Sequence, residues 1–176
     1  QQWIEILVTA LKESGIYRET ISEWDIRLLM TSSQLHDAGK ISISDSILLK
    51  PGKLTPEEFE IMKTHVMFGV RIIEKICAST SEHSFLEHAR IFAGAHHEKW
   101  DGSGYPNGLR GEEIPLQGRL MAIADVYDAL ISSRPYKKAF PHEEAVRIIT
   151  EGRGTHFDPV LVDIFRQVED KFRRCV

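Results

Sequence analysis

Apolar residues recur at helical spacing along most of the chain, and no stretch alternates with the period of two that an exposed strand requires. The predicted helices cover residues 3–14, 22–39, 56–76, 86–95 and 115–132, and two more begin near His142 and Asp158. No internal repeat is present. We therefore predict an all-α fold, a bundle of about seven helices that forms a single domain.

Several of these helices have recognisable ends. Ser22 followed by Asp25 predicts a capping box, and Gly39 predicts the end of that helix. Thr55 and Pro56 are typical of an N-cap and a first helical position. The buried face of the helix over residues 56–76 is predicted to comprise Phe59, Met62, Val66, Gly69, Ile72, Ile73 and Ile76. His65 falls in the same phase, so it is expected to point inward.

The helical period is interrupted between residues 100 and 111, where four of the twelve glycines are found. Glycine permits tight turns, so this stretch is predicted to be a loop. Within it, Gly104, Tyr105 and Pro106 would hold a tight turn over the core. As a loop, it is also suited to an interaction surface.

Composition and charge narrow the function classes. The 176 residues carry 22 Lys and Arg against 26 Asp and Glu, so no basic field favours nucleic acid or an anionic membrane. No apolar run approaches the roughly 20 residues that span a bilayer. Cys77 and Cys175 form no metal-type pair, so a soluble protein or fragment in the reducing cytoplasm is expected. Because the chain starts at Gln1, we expect residues 1–20 to be a truncated start and an upstream regulatory domain to be missing.

Candidate chemistry lies at helix ends and on two helix faces. His36 and Asp37 follow the second helix, His96 and His97 follow the fourth, and His65 is on an apolar face. Asp125 and Asp128 share a face with Gly118, Met121, Ala122 and Ala129. Taken singly, His65 is typical of a hydrogen-bonded core histidine, and the two aspartates are typical of a solvated helix face.

Together, these residues indicate a metal centre. Burying Asp37 near Asp125 without an arginine would cost several kcal/mol, and divalent cations would remove that cost. Nitrogen and carboxylate ligands suit iron, manganese, nickel, cobalt or zinc, while the lack of thiolates argues against a structural zinc site. Asp37 has two oxygens, which could bridge ions roughly 3.5 to 4 Å apart and leave positions open for water and phosphate.

The motifs HDAGK, HHEKWDGSGYP and IADVYDALISSRPYK, with a single histidine between the first two, make the chain recognisable. Over residues 35–165 it resembles the HD-GYP family of cyclic-di-GMP phosphodiesterases. The resemblance implies metal ligation by His36, Asp37, His65, His96, His97 and Asp125. It implies a catalytic Lys40, for which spacing alone leaves a solvated lysine open. It further implies substrate contacts from Lys40, Asp128, Arg134 and Lys137.

The implied reaction is in-line attack of a metal-bridging hydroxide on cyclic di-GMP. The product is linear pGpG, with further cleavage to GMP left open. Iron or manganese is the favoured metal. Family members with a third ion use Glu and His ligands from a preceding helix, but here that helix offers only Glu5 and Glu13, and no histidine precedes His36. Either those ligands lie upstream of Gln1 or the protein holds two ions, so two ions are expected and a third is left open.

The resemblance also implies partners. Gly104, Tyr105 and Pro106 would form a wall of the substrate pocket or a surface for a GGDEF-domain diguanylate cyclase. A receiver or other sensory domain would precede the chain, as in a two-component response regulator. Two other functions stay open: a non-hydrolytic cyclic-dinucleotide sensor, and a general HD nucleotide phosphohydrolase. Cyclic GMP-AMP is the alternative substrate.

Overall fold

Helices account for all the regular structure in the computed structural model, which describes residues 2–80, 83–133 and 138–174. The α-helices are α1 Gln2–Ser14, α2 Arg18–Ile21, α3 Ile26–Ser33, α4 Asp45–Leu48, α5 Pro56–Lys63, α6 His65–Cys77, α7 His83–Ala95, α8 Leu116–Ile131, α9 His142–Glu151 and α10 Pro159–Arg173. Short 3-10 helices span Ala38–Ser42 and Gly111–Glu113. The described ranges contain isolated β-bridges but no strand, so the predicted all-α fold is confirmed.

Helix α8 runs through the centre of the bundle, and every residue from 116 to 124 is buried. Its apolar side chains join those of α1, α9 and α10 in the main hydrophobic cluster. Gly118 lets α8 approach the end of α7, because a Cβ there would lie 2.7 Å from the Ala95 side chain and 2.8 Å from its carbonyl oxygen. The residues that follow α7 are thereby held beside the middle of α8.

A second close approach joins the 3-10 helix Ala38–Ser42 to α6. A Cβ on Gly39 would lie 1.9 Å from the carbonyl oxygen of His65 and 2.4 Å from the nitrogen of Gly69. Real Cβ atoms do not approach backbone this closely, so only glycine fits at this position. The contact places His36 and Asp37 directly against the first turn of α6.

The predicted helix over residues 22–39 differs from the observed structure. Asp25, not Ser22, is the N-cap of α3, since its carboxylate accepts hydrogen bonds from the amides of Arg27 and Leu28 at 2.9 and 3.1 Å. The predicted capping box at Ser22 is therefore wrong. Helix α3 also stops at Ser33, and turns carry the chain from there to the 3-10 helix.

The predicted helix over residues 56–76 is two helices, α5 and α6, which meet at Thr64. The predicted start is confirmed, because Thr55 and Glu58 form a reciprocal capping box ahead of Pro56. Val66, Gly69 and Ile73 are buried as expected, while Met62 and Ile72 are half-buried. Phe59 and Ile76 were predicted to be buried but are each 46% exposed. Helix α5 has no buried residue, because the break lets it lie on the surface of the bundle.

The predicted loop is confirmed, and Gly102, Gly108 and Gly111 have left-handed backbone there, with φ of 83°, 66° and 58°. The peptide bond between Tyr105 and Pro106 is cis. None of the described helices combines the length and the hydropathy needed to cross a lipid bilayer.

Candidate metal centre

Four segments bring the candidate ligands to one place. His36 and Asp37 lie in the turns after α3, His65 begins α6, and His96 and His97 follow α7. Asp125 faces them from the middle of α8. His65 and His96 are buried, which confirms the predicted inward orientation of His65.

Asp37 is the centre of the cluster, because its two carboxylate oxygens face different histidines. Oδ1 lies 3.4 Å from Nε2 of His65 and 3.8 Å from Nε2 of His96. Oδ2 lies 3.4 Å from Nε2 of His36, which in turn is 3.9 Å from Oδ1 of Asp125. Two sets of candidate ligands therefore share one carboxylate.

We call the first set the inner group, which comprises His65, His96, His97 and Oδ1 of Asp37. Its three histidines each offer a nitrogen within 4.8 Å of the others. The second set is the outer group, which comprises His36, Asp125 and Oδ2 of Asp37.

Backbone carbonyls orient three of the histidine rings. Nδ1 of His36 lies 2.8 Å from the carbonyl oxygen of Ser33, and Nδ1 of His65 lies 2.7 Å from that of Met62. Nδ1 of His96 is 2.9 Å from the carbonyl oxygen of Phe92. A carbonyl oxygen only accepts hydrogen bonds, so each Nδ1 must carry the proton. In the neutral rings, Nε2 then presents a lone pair to the cluster, as in histidines that bind metals.

The unpaired atoms at the centre fit a cation. Oδ1 of Asp37 is buried and has no hydrogen-bond partner among the described residues. Nε2 of His65 and Nε2 of His96 lie 3.5 Å apart, although neither has a proton to give the other when both rings are neutral. A buried carboxylate oxygen facing two lone pairs is unfavourable unless a positive charge lies between them.

The pKa shifts agree with this donor set. Burial lowers the pKa of His65, lowers that of His96 well below its ordinary value and lowers that of His97 to about 3. Burial opposes ionisation of Asp37, but hydrogen bonds from His36 and Lys40 outweigh it and lower the pKa of the carboxyl. Neutral imidazoles beside a charged carboxylate are the protonation states that bind divalent metals.

The outer group is more polar. Burial disfavours the charged form of His36, yet its hydrogen bond to Asp37 outweighs that effect and raises the pKa of the imidazole. Burial raises the pKa of Asp125. Nζ of Lys40 lies 2.5 Å from Oδ2 of Asp37. Lys40 and Nε2 of His36 therefore both face Oδ2 of Asp37.

A cavity of about 400 Å³ lies beside the outer group. His36, Asp37, Lys40, Asp125 and Asp128 form its polar side. The rest of its wall comprises Trp3, Ile4, Ser33, Gln34, Met121 and Ala124. The structure thus brings Lys40 and Asp128 to the same cavity, with Asp128 exposed. The predicted substrate contacts Arg134 and Lys137 lie outside the described residues.

The loop with Gly104, Tyr105 and Pro106 covers the inner group. The ring of Tyr105 stacks on that of His97, with centroids 4.8 Å apart, and its amide donates to the carbonyl oxygen of His97 at 3.1 Å. Gly104 is required by this turn, because a Cβ there would lie 2.3 Å from the nitrogen of Lys99. The loop is therefore a tight turn and a wall of the centre at once.

Sequence reasoning missed Glu98, which holds this loop. Its buried carboxylate accepts hydrogen bonds from the amides of Asn107 and Leu109 at 2.8 and 3.0 Å. The sequence did offer a signal for this role. Glu98 is an acidic residue directly before a stretch of turns, and the amides of such turns need an acceptor. The amides of Trp100 and Asp101 also donate to the carbonyl oxygens of His156 and Thr155, which ties the loop to the C-terminal part of the chain.

Comparisons with known proteins agree with this site. The family model described as HD domain matches residues 5–161. A cyclic di-GMP phosphodiesterase of Vibrio cholerae is 51% identical over 172 residues, which cover 98% of this chain and 35% of that protein. The cyclic di-GMP phosphodiesterase response regulator RpfG of Xanthomonas campestris is 47% identical over 143 residues, or 81% of this chain and 36% of its own. The chain thus spans about a third of the length of either relative.

A solved structure with the same fold is among those that the chain matches. The crystal structure of a cyclic GMP-AMP specific phosphodiesterase of Vibrio cholerae superimposes with a TM-score of 0.58 at 20% identity, over 97% of this chain and 44% of that one. The chain therefore belongs to the HD domain family, as a member of its HD-GYP branch. HD domains bind divalent metal ions, in agreement with the histidine cluster described above.

Proposed function

We propose that this chain is the catalytic domain of a metal-dependent phosphodiesterase that hydrolyses cyclic di-GMP. The observation that carries the proposal is the position of Asp37. Its two oxygens face separate ligand sets, and the adjoining cavity also contains Lys40. That arrangement suits a phosphate held beside a pair of cations.

The inner group would hold one divalent ion and the outer group a second, with Asp37 shared between them. Iron or manganese fits the nitrogen and carboxylate donors, while nickel, cobalt and zinc are alternatives. When bound, such ions would polarise the phosphate and make water a nucleophile near neutral pH. Glu5 and Glu13 are both exposed, so the proposal is for two ions, with a third left open.

The chain's own residues would position the substrate. The side chain of Lys40 is 40% exposed and lines the cavity, so its ammonium can donate to a phosphate oxygen and offset charge that develops there. Tyr105 covers His97 and excludes water from that side of the centre. We assign contacts with the rest of the nucleotide to Asp128, and contacts with its phosphates to Arg134 and Lys137, from the family resemblance.

Cyclic di-GMP is favoured over cyclic GMP-AMP because the relative at 51% identity is named a cyclic di-GMP phosphodiesterase. A relative named a 3'3'-cGAMP-specific phosphodiesterase is also similar in sequence, but at the lower identity of 43% over 152 residues. We propose linear pGpG as the first product, with GMP following if the linear dinucleotide is cleaved again.

We also propose a partner domain, a partner protein and a cellular compartment. The name of RpfG supports an upstream receiver domain in this protein. The Gly104–Tyr105–Pro106 turn is proposed to meet a GGDEF-domain diguanylate cyclase, which its position in a loop supports. The cytoplasm remains the predicted compartment.

The test is metal analysis and turnover of cyclic di-GMP under anaerobic conditions, with Lys53→Met as a control at an exposed lysine. Asp37→Asn is expected to lose both metal and turnover, since it alters the shared carboxylate. Lys40→Met is expected to keep its metal and lose turnover by roughly 100-fold or more, the scale of losing one transition-state donor.

Two results would select another function. Tight binding of cyclic di-GMP without cleavage, whichever metal is supplied, would favour the sensor. Hydrolysis of simple nucleoside phosphates, with cyclic dinucleotides left intact, would favour a general phosphohydrolase.

A further inference from the structure

Phe59 is an exposed aromatic residue next to the metal centre. Its side chain is 46% exposed, although the helical pattern predicted a buried position. The ring lies edge-on to Tyr105, with centroids 6.2 Å apart, and Tyr105 stacks on His97. A continuous row of rings therefore leads from the inner group to the surface of α5.

Lys63 lies one helical turn after Phe59 and adds a cation to this row. Its Nζ is 5.7 Å from the centroid of the Phe59 ring and 5.6 Å from that of Tyr105. Its ion-pair partner is Glu60, at 2.7 Å, whose side chain is 69% exposed. The Lys63 side chain itself is 27% exposed, and because its partner is in water the pair contributes little, so the ammonium can turn to another acceptor at small cost.

We propose that Phe59 and Lys63 form a subsite for one guanine base of the cyclic dinucleotide. The inference rests on the proposed function, because it places the scissile phosphate at the metal centre. Base and phosphate of a nucleotide are joined through one ribose, so a base subsite must adjoin that centre. Phe59 contacts Tyr105, and Tyr105 stacks on His97. The proposed subsite therefore lies two ring contacts from the inner group, outside the residues that line the cavity beside the outer group.

The chemistry of the two side chains selects guanine. An aromatic ring stacks on any base, and the ammonium of lysine pairs with O6 and N7 of guanine. Adenine presents an amino group where guanine has O6, so Lys63 would face a donor there. Phe59 would then increase the affinity for a base of either kind, while Lys63 would favour guanine over adenine.

The packing of α5 supports a ligand role over a role in the core. This helix has no buried residue, so the Phe59 ring contributes little to the interior of the bundle. Phe68 on α6 is a matched control, since its side chain is also partly exposed, at 37%. It is absent from the ring contacts of the described centre.

The experiment measures binding of GMP and AMP by calorimetry, together with kcat and KM for cyclic di-GMP, on the metal-loaded protein. Phe59→Ala is expected to weaken GMP roughly ten-fold and to raise KM by a similar factor, with kcat nearly unchanged, because stacking of one base is lost. Phe59→Trp is expected to restore binding. Lys63→Met is expected to reduce the preference for GMP over AMP, and Phe68→Ala is expected to change nothing.

Equal GMP binding and equal KM in Phe59→Ala and Phe68→Ala would overturn the subsite, even if the wild type hydrolyses cyclic di-GMP. If GMP binding depends on Phe59 but no cyclic dinucleotide is cleaved, the subsite stands and the proposed function fails. A wild type that binds neither mononucleotide and cleaves no cyclic dinucleotide would refute both.

Discussion

Replacing Glu98 with glutamine should release the loop that covers the metal centre. The carboxylate is 2% exposed and accepts hydrogen bonds from the amides of Asn107 and Leu109. Glutamine keeps one oxygen for one amide, but its NH₂ group then faces the other amide. A hydrogen bond to a charged group contributes about 1.5–3 kcal/mol, and the stranded donors add to the loss. We expect Glu98→Gln to lower the free energy of unfolding by about 2–4 kcal/mol.

Two measurements check this expectation. Urea unfolding gives the loss of stability, which corresponds to a fall in Tm of roughly 5–15 °C for a domain of this size. Hydrogen exchange at the amides of Asn107 and Leu109 reports the loop directly. Both amides should exchange faster in Glu98→Gln, because each depends on the carboxylate.

Glu113→Gln is the matched control, since Glu113 also accepts from a backbone amide, that of Arg110 at 3.0 Å, but is exposed. Its effect should stay below about 1 kcal/mol. If Glu98→Gln is no more destabilising than Glu113→Gln, or if both loop amides keep their wild-type exchange rates, then Glu98 does not hold the loop and this reasoning fails.

Three further predictions concern the packing around the centre. Gly39→Ala should weaken metal binding in a metal titration, because its Cβ would lie 1.9 and 2.4 Å from backbone atoms of α6. Gly94→Ala, whose Cβ would make a contact of 3.2 Å, should not weaken it. Equal metal affinities of the two variants would refute the close approach. Arg119→Met should lower the free energy of unfolding, measured in urea, by about 3–5 kcal/mol. The guanidinium lies 2.9 Å from the buried carboxylate of Asp158, which would lose its partner charge. A loss below about 1 kcal/mol would contradict this prediction. Burial lowers the pKa of His156 from 6.5 to about 4, so the unfolded state binds the proton first as the pH falls. The free energy of unfolding should therefore decrease by at most about 3 kcal/mol through that pH range. His156→Phe should flatten the dependence of this free energy, measured in urea, on pH, and an unchanged dependence would exclude the effect.

Most helix starts, and the segments that carry the candidate ligands, could be predicted because they depend on local signals. Thr55 followed by Pro56, and the helix start near Asp158, are recognisable from neighbouring residues, and the structure has both. The long motif from His96 to Pro106 likewise contains its candidate ligands and its turn within one segment.

The errors concern features that depend on distant parts of the chain. The break between α5 and α6 at Thr64 is not marked by a glycine or a proline, so the sequence did not predict it. Because of this break, Phe59 is exposed rather than buried. Local spacing also favoured Ser22 as an N-cap over Asp25, although both residue types cap helices well.

The arrangement of side chains inside the site likewise could not be predicted from the spacing of apolar residues. That Gly39 had to be glycine follows from a contact with α6, 26 residues further on, which no local period encodes. The division of the two Asp37 oxygens between ligand groups, and the carbonyls that orient the histidines, are likewise tertiary features.

The central claim is that Asp37 is shared by two cations. Anomalous diffraction from crystals of the protein loaded with manganese tests it most directly. We expect two peaks, one against Oδ1 of Asp37 with His65 and His96, and one against Oδ2 with His36 and Asp125. Lys40 should have moved away from Oδ2. Loaded crystals with no peak at Asp37, or with metal bound only elsewhere on the protein, would contradict the account.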